Sequence, residues 1–156
     1  RFYHGMFSGT SITKAPVLPA TTLAKSCYES MFYDCEALTE APALPVTQLA
    51  DRCYAYMFAR CSNLTGTIEL PAEELPERCY YSMFYRCSKL SSVKCLATTM
   101  TGKYALASWL EIAGTDESVS TRTLTHASGT PWVNSDEYAT ELTDWFAPTD
   151  WTLVSQ

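Results

Sequence analysis

The sequence predicts an α/β solenoid, in which each repeat contributes one helix and one short parallel strand. The first observation is a nonapeptide that occurs three times, as CYESMFYDC at 27–35, CYAYMFARC at 53–61 and CYYSMFYRC at 79–87. The second is that leucine columns, such as Leu38, Leu64 and Leu90, recur at the same spacing as the nonapeptide. A fixed period of this length is typical of architectures in which each repeat packs only on its neighbours.

The nonapeptide and the residues before it predict an amphipathic helix in each repeat. In the first full repeat the apolar positions cover about half of a helical wheel at about 100° per residue; they are Leu23, Cys27, Tyr28, Met31, Phe32 and Cys35. The helical period is lost after Cys35, and the segment 38–44 is predicted to be extended. One helix and one strand per repeat is the layout of a leucine-rich repeat solenoid. Because proline cannot donate to a β-ladder, we expect irregular pairing at Pro16 and Pro42.

The repeat divides the chain into two predicted regions. Residues 1–97 are predicted to be leucine-rich repeats, a partial first repeat followed by three more, because Tyr3, Met6 and Phe7 match the first full nonapeptide. Residues 98–156 are predicted to be a C-terminal capping region, with a helix over 105–113 and strands at 119–125 and 151–154. We expect Trp109 and Trp151 to pack against the last repeat.

The charge distribution argues against nucleic acid as a partner. The formal net charge is -6, and residues 1–97 carry nine basic and nine acidic side chains. A nucleic-acid-binding protein needs a basic footprint, which is missing. The acidic excess lies in the capping region, where side chains such as Asp136, Glu137 and Glu141 are expected to keep that end soluble. No apolar run is long enough to span a bilayer, so we expect no membrane insertion by this segment.

Six of the seven cysteines are predicted to be small buried residues, with Cys95 as the expected exception. On a helix, Cys27 and Cys35 would be about 12 Å apart, and a disulfide needs Cα atoms within about 7 Å. Neighbouring helices would lie about 8–10 Å apart, so Cys27 and Cys53 are also poorly placed to form a disulfide. Structural zinc sites usually use cysteines two to four residues apart, unlike C-x7-C. The sequence therefore indicates no metal site and no cofactor, and it contains no Ser/His/Asp or Cys/His set that would indicate an enzyme.

The pattern Leu-Pro-x-x-x-Leu-Ala-x-x-Cys-Tyr-x-x-Met-Phe-x-x-Cys-x-x-Leu-Thr resembles the BspA-like leucine-rich repeats of bacterial surface proteins, common in Bacteroides and its relatives. The resemblance covers about residues 2–97, and the remainder looks like a C-terminal extension found on some of these proteins. It implies a secreted or surface-displayed binding protein, with adhesion to a host or bacterial surface protein or glycan, and it implies no catalytic residues. An extracellular or cell-surface location is expected on the same ground.

Two surfaces are candidate partner-binding sites. Solenoids usually bind through the face made by adjacent strands, where small polar residues follow the repeated leucine: Thr39, Glu40, Thr65, Gly66, Ser91 and Ser92. The alternative is a tyrosine patch on the outer side of the helices, at Tyr56 and Tyr81, since tyrosine is favoured at interfaces. Small polar residues also suit a curved solvated sheet with no ligand. The alternative to a binding module is therefore a structural spacer within a longer surface protein.

Overall fold

The computed structural model describes residues 3–135 and 144–156 and shows a β-solenoid of about three turns. The predicted solenoid is confirmed, but the predicted α/β leucine-rich repeat class is wrong, because no helix forms anywhere in the described residues. It follows that no described segment is a helix long and apolar enough to cross a membrane. Asp136, Glu137 and Glu141 lie outside the described residues.

Eight short strands form among the described residues, and all of their pairings are parallel. They are β1 (Thr67–Leu70), β2 (Glu74–Leu75), β3 (Ser92–Cys95), β4 (Thr99–Met100), β5 (Thr123–His126), β6 (Val133–Asn134), β7 (Phe146–Ala147) and β8 (Thr152–Ser155). The main sheet has the order β1-β3-β5-β8, and β2-β4 and β6-β7 are two-stranded pairs. The strands predicted at 119–125 and 151–154 correspond to β5 and β8, whereas the extended segment predicted near 38–44 forms no strand.

Tight turns replace the predicted helix in every repeat. We call these segments, residues 26–35, 52–61, 78–87 and 104–113, the turn ladder. Within a coil, the N–H of Met31 donates to the carbonyl of Tyr28 at 3.2 Å. The next N–H, on Phe32, donates instead to the carbonyl of Met57 in the following coil, at 2.9 Å. Backbone donors therefore alternate between closing a turn and joining two coils.

The turn ladder needs a left-handed residue at every fourth position. Ser26, Ser30 and Asp34 have φ near 57–59°, and the later coils repeat the pattern. In the partial first repeat the matching positions are Gly5 and Gly9, at 61° and 69°. Glycine adopts this conformation without steric cost, whereas for other residues it costs about 1–2 kcal/mol. The bonds between coils and the shared core must offset that strain in the later coils.

The segment 105–113, predicted as a helix of the cap, continues the turn ladder instead. The N–H of Phe84 donates to the carbonyl of Trp109 at 2.9 Å, and Ser108 has φ 52°. Trp109 occupies the position in its coil that Met83 occupies in the previous one, and it is fully buried. Its ring contacts those of Tyr80 and Phe84 at 6.5 and 6.3 Å, which confirms the packing predicted for Trp109. Trp151 is also buried.

Columns of stacked aromatic rings fill the core along the solenoid axis. Phe32 and Phe58 stack at 5.6 Å, Phe58 and Phe84 at 6.0 Å, and their planes are within 5° of parallel. Tyr28 and Tyr54 stack at 6.0 Å in a second column and are at most 2% exposed. Each coil therefore presents the same rings to the next one, and this is why the nonapeptide is repeated.

The strand register resolves which side chains face inward. β1 pairs with β3 so that Ile68 lies beside Val93 and Leu70 beside Cys95, all four buried. Paired residues of β1 and β3 are separated in sequence by one residue fewer than the leucines of successive repeats. The earlier coil thus holds one extra residue between its leucine and its strand, where Gly66 has φ 85°. That slip restores the inward parity of the strand.

Candidate functional site

The strand side of the solenoid is closed in the later coils and open in the earlier ones. From β1 onward a continuous sheet joins the coils, but before β1 only two isolated bridges occur in the described chain, Lys14 with Glu40 and Glu40 with Thr65. Pro16 and Pro42 occupy this open region, and neither can donate a backbone hydrogen bond. The irregular pairing predicted at these prolines is confirmed.

A groove of about 690 Å³ lies between segments 40–45 and 65–71. We call it the strand-side groove. At one end the two coils remain joined, because the N–H of Thr65 donates to the carbonyl of Thr39 at 3.0 Å. Beyond that contact no bridge connects these two described segments. A smaller groove of about 240 Å³ lies between 14–18 and 40–45, so each Pro-bearing segment borders an opening.

The structure brings together only part of the predicted strand-face site. Glu40, Thr65 and Gly66 line the strand-side groove. Thr39 supports its closed end by accepting hydrogen bonds from the Thr65 N–H and from Thr65 Oγ1, the latter at 3.2 Å.

Ser91 and Ser92 do not line this groove, and the expected row of Glu40, Gly66 and Ser92 does not form. Ser92 lies beside Thr67 rather than Gly66 because of the register slip, and Thr67 Oγ1 donates to Ser92 Oγ at 3.0 Å. Ser91 instead accepts a hydrogen bond from the N–H of Thr123, on the far side of β3, at 2.8 Å.

The free edge of β1 forms one side of the groove. β1 is the terminal strand of the sheet order β1-β3-β5-β8, so within the described chain only β3 pairs with it. The carbonyl of Leu70 faces β3, since it accepts a hydrogen bond from the N–H of Leu96 at 3.0 Å. Backbone groups of successive strand residues point to opposite edges. The N–H and C=O groups of Thr67 and Glu69 therefore point toward the groove, a feature that the side-chain pattern alone does not reveal.

The groove is acidic. Among the described residues that line it, only Glu40 and Glu69 are charged. Their neighbours in register are Lys14 and Lys94, but neither lysine forms an ion pair with them within the described residues. The remaining lining is apolar or small, with Ala41, Pro42, Ala43 and Leu44 on one side. The arrangement can accept a ligand that is cationic and presents backbone hydrogen-bonding groups.

The tyrosine patch lies on the turn ladder, away from the groove. The rings of Tyr56 and Tyr81 meet edge to face at 5.3 Å, so the structure does bring these two candidate residues together. Burial, and then the neighbouring Tyr81, raise the pKa of Tyr56. Arg52 lies close enough to affect both rings electrostatically, and it forms an ion pair with Glu29. The patch is half-buried, and its two rings contact each other.

The second cysteine of each nonapeptide joins one coil to the previous one. The thiol of Cys61 donates to the carbonyl of Phe32 at 3.0 Å, and Cys87 repeats the contact with Phe58 at 3.0 Å. Burial raises the pKa of Cys61 to about 12. The residue thus serves as a small hydrogen-bond donor inside the core as well as a hydrophobic one.

The distances between cysteines that argue against disulfides on helices do not apply to this fold. Coils joined by hydrogen bonds lie about 4.8 Å apart, closer than neighbouring helices. All seven thiols are nevertheless free and buried, including Cys95, the residue outside the nonapeptides. In residues 3–135 and 144–156 there is no group of three or more His, Cys, Asp or Glu side chains that could hold a metal ion.

Comparisons of the chain with protein-family models, with curated proteins and with solved structures find no match.

Proposed function

We propose that this protein is a non-enzymatic binding module, displayed at the cell surface or secreted, that recognises a protein or glycan partner through the strand-side groove. The observation that carries the proposal is the groove itself, which lies beside the free edge of β1 and contains three of the candidate residues, Glu40, Thr65 and Gly66. The resemblance of residues 2–97 to BspA-like repeats supports the surface location and the adhesive role.

The contrast between coils favours a ligand over a purely structural spacer. A spacer is served as well or better by a continuous sheet, and from β1 onward the chain forms one. In the earlier coils Pro42 leaves the strand side open, although the turn ladder stacks these coils in the same way. Exposed strand edges promote unwanted pairing, so an open edge without a ligand is a liability.

The groove has no arrangement of groups suited to catalysis among its described residues. Its ionisable side chains are the carboxylates Glu40 and Glu69, which lie on different coils. The nucleophilic thiols lie in the core, where burial raises the pKa of Cys53 and Cys95 to about 12. A thiolate is the reactive form of cysteine, so these residues are unreactive near neutral pH. The groove is better suited to binding than to chemistry.

A screen of this protein against surface proteins and glycan arrays, repeated with one groove variant, tests the proposal. Ala43 is exposed and lines the groove, so Ala43→Arg should abolish binding of the partner found. Ala24→Arg is the matched control, because Ala24 is exposed and lies outside the groove. Gly66→Arg is less suitable, since a side chain at φ 85° is strained and weakens the fold as well.

The tyrosine patch provides the opposite outcome of the same screen. In this outcome the partner binds the Ala43→Arg variant as tightly as the unmodified protein and fails to bind a double variant with Tyr56→Ala and Tyr81→Ala. In that case the ligand lies on the turn ladder. The groove assignment is then wrong. Thermal unfolding of each variant separates loss of binding from loss of fold.

A further inference from the structure

We infer that the strand-side groove binds an extended basic peptide, which adds to β1 as a further strand of the sheet. The inference rests on the proposed function and specifies the partner as a polypeptide segment of stated chemistry. It is carried by three features of the groove: the unpaired backbone groups on the edge of β1, the apolar segment opposite them and the two carboxylates.

The edge of β1 supplies the hydrogen bonds. The N–H and C=O groups of Thr67 and Glu69 point away from β3, and no backbone hydrogen bond of the described residues uses them. An extended peptide can pair with such an edge through its own main chain, a mode in which backbone bonds give affinity and alternate side chains give specificity. A glycan has no matching repeat of donors and acceptors along its backbone.

The two sides of β1 set the side-chain pattern of the peptide. Ile68 and Leu70 face the core, whereas Thr67 and Glu69 face solvent. A strand added beside β1 has the same alternation. Its inward side chains meet Leu44 and Ile68, both of which are buried and line the groove. The bound segment therefore alternates apolar residues with residues that lie beside Glu69.

The charge of the groove selects basic side chains at those outward positions. Glu40 and Glu69 are its charged lining residues and form no ion pair within the part of the chain that the structure describes. An acidic peptide would place like charges directly opposite, which destabilises a cross-strand pair.

A second copy of this chain is less complementary. The other end of the main sheet is β8, whose sequence TLVS has no basic residue.

Titration calorimetry with short synthetic peptides tests the inference. The probes are an acetylated and amidated Val-Lys-Val-Lys-Val-Lys peptide, its Val-Glu counterpart, and a Val-Lys peptide methylated at alternate backbone nitrogens. We expect the first to bind and the other two to bind at least about 10-fold more weakly. Equal binding of the methylated and unmethylated Val-Lys peptides would contradict strand addition.

Two substitutions at one position separate the backbone contact from the charge. Glu69→Gln removes the carboxylate and should weaken binding of the Val-Lys peptide about 3-fold. Glu69→Pro removes the carboxylate and also the free N–H, without loss of a bond to β3, and should weaken it at least about 10-fold. Proline is tolerated on the free side of an edge strand, and thermal unfolding checks the fold. If Glu69→Pro binds like Glu69→Gln, the backbone edge is not used and the inference is wrong.

Failure of this inference is distinct from failure of the proposed function. If Ala43→Arg abolishes binding of the partner but Glu69→Pro does not affect it, the groove remains the binding site. Strand addition is then wrong. Absence of binding by all three peptides also overturns it. Concentration-dependent self-association that Glu69→Pro abolishes, with no peptide binding, would show that a second copy occupies the edge and would contradict the basic-peptide assignment.

Discussion

The earlier coils, up to Pro45, and the later coils, from β1 onward, share one side of the solenoid and differ on the other. Both have stacked rings, since Phe7 and Phe32 at 5.6 Å match Phe58 and Phe84 at 6.0 Å. Both also have the same alternating hydrogen bonds between coils. Only the later coils of the described chain have a continuous sheet. The turn ladder therefore holds the coils together, and the strand side can remain open at the strand-side groove.

The largest expected effect concerns the side that the two regions share. Phe58 is fully buried between two rings, so Phe58→Ala should lower the free energy of unfolding by about 3–5 kcal/mol. Phe7 occupies the same column at the end of the described chain and is only half-buried. Phe7→Ala should cost about 1–2 kcal/mol. Urea unfolding measures both, and equal losses would mean that the turn ladder is not continuous.

A smaller effect is expected where the regions differ. Pro42→Val restores a backbone donor and a β-favouring side chain in the segment opposite β1. We expect the earlier coil to pair more fully with β1, and binding to the strand-side groove to fall about 10-fold. Pro45→Val is a suitable comparison, since Pro45 lines the same groove beyond Leu44. Retention of full binding by Pro42→Val would show that the proline does not keep the groove open.

The smallest effect is a pH dependence on the turn ladder of the earlier coils. Desolvation is the largest single influence on Glu29 and raises its pKa, but hydrogen bonds from Arg52 and Ser26 and the charge of Arg52 together hold the pKa below its usual 4.5. A lowered pKa adds stability that is present above about 4.5 and is lost as the pH falls through the lowered value.

Glu29→Gln should therefore reduce the decline in thermal stability of this protein between neutral and acidic pH. Glu36→Gln is the control, because Glu36 is exposed and forms no ion pair in the described residues. An identical decline in both variants would show that the Glu29–Arg52 pair does not contribute.

The repeat and its core were predictable from the sequence, and the backbone that carries them was not. The apolar residues 27, 31 and 35 would lie on one face of a helix of about 3.6 residues per turn, and they also lie on one face of successive four-residue turns. The pattern of buried side chains therefore does not distinguish the two backbones. Two signals did favour the turns. The apolar residues Cys27, Met31 and Cys35 recur at every fourth position without drift, and Gly5 and Gly9 fall at left-handed positions.

The candidate site was predictable only in part for a similar reason. Pro16 and Pro42 predicted the irregular pairing on the open strand side. Glu40, Thr65 and Gly66 were predicted on the strand face, and they line the groove. Ser92 was misplaced because a slip of one position at Gly66 makes Thr67, rather than Gly66, its strand partner. The apolar strand positions do shift by one between Ile68 and Val93 in the sequence, but that shift alone does not show which residue of the earlier coil is the extra one. The free edge of β1 likewise follows from pairing, which is set by the neighbouring coil.

Amide hydrogen exchange along β1, measured by NMR on the protein without ligand, tests the open edge most directly. The N–H groups of Ile68 and Leu70 face β3 and should exchange slowly, whereas those of Thr67 and Glu69 face the groove and should exchange at least about 100-fold faster. Addition of the Val-Lys peptide should slow the exchange of Thr67 and Glu69 and leave Ile68 and Leu70 unchanged. Equally slow exchange at all four positions without ligand would show that β1 is paired on both sides and that the groove has no free edge.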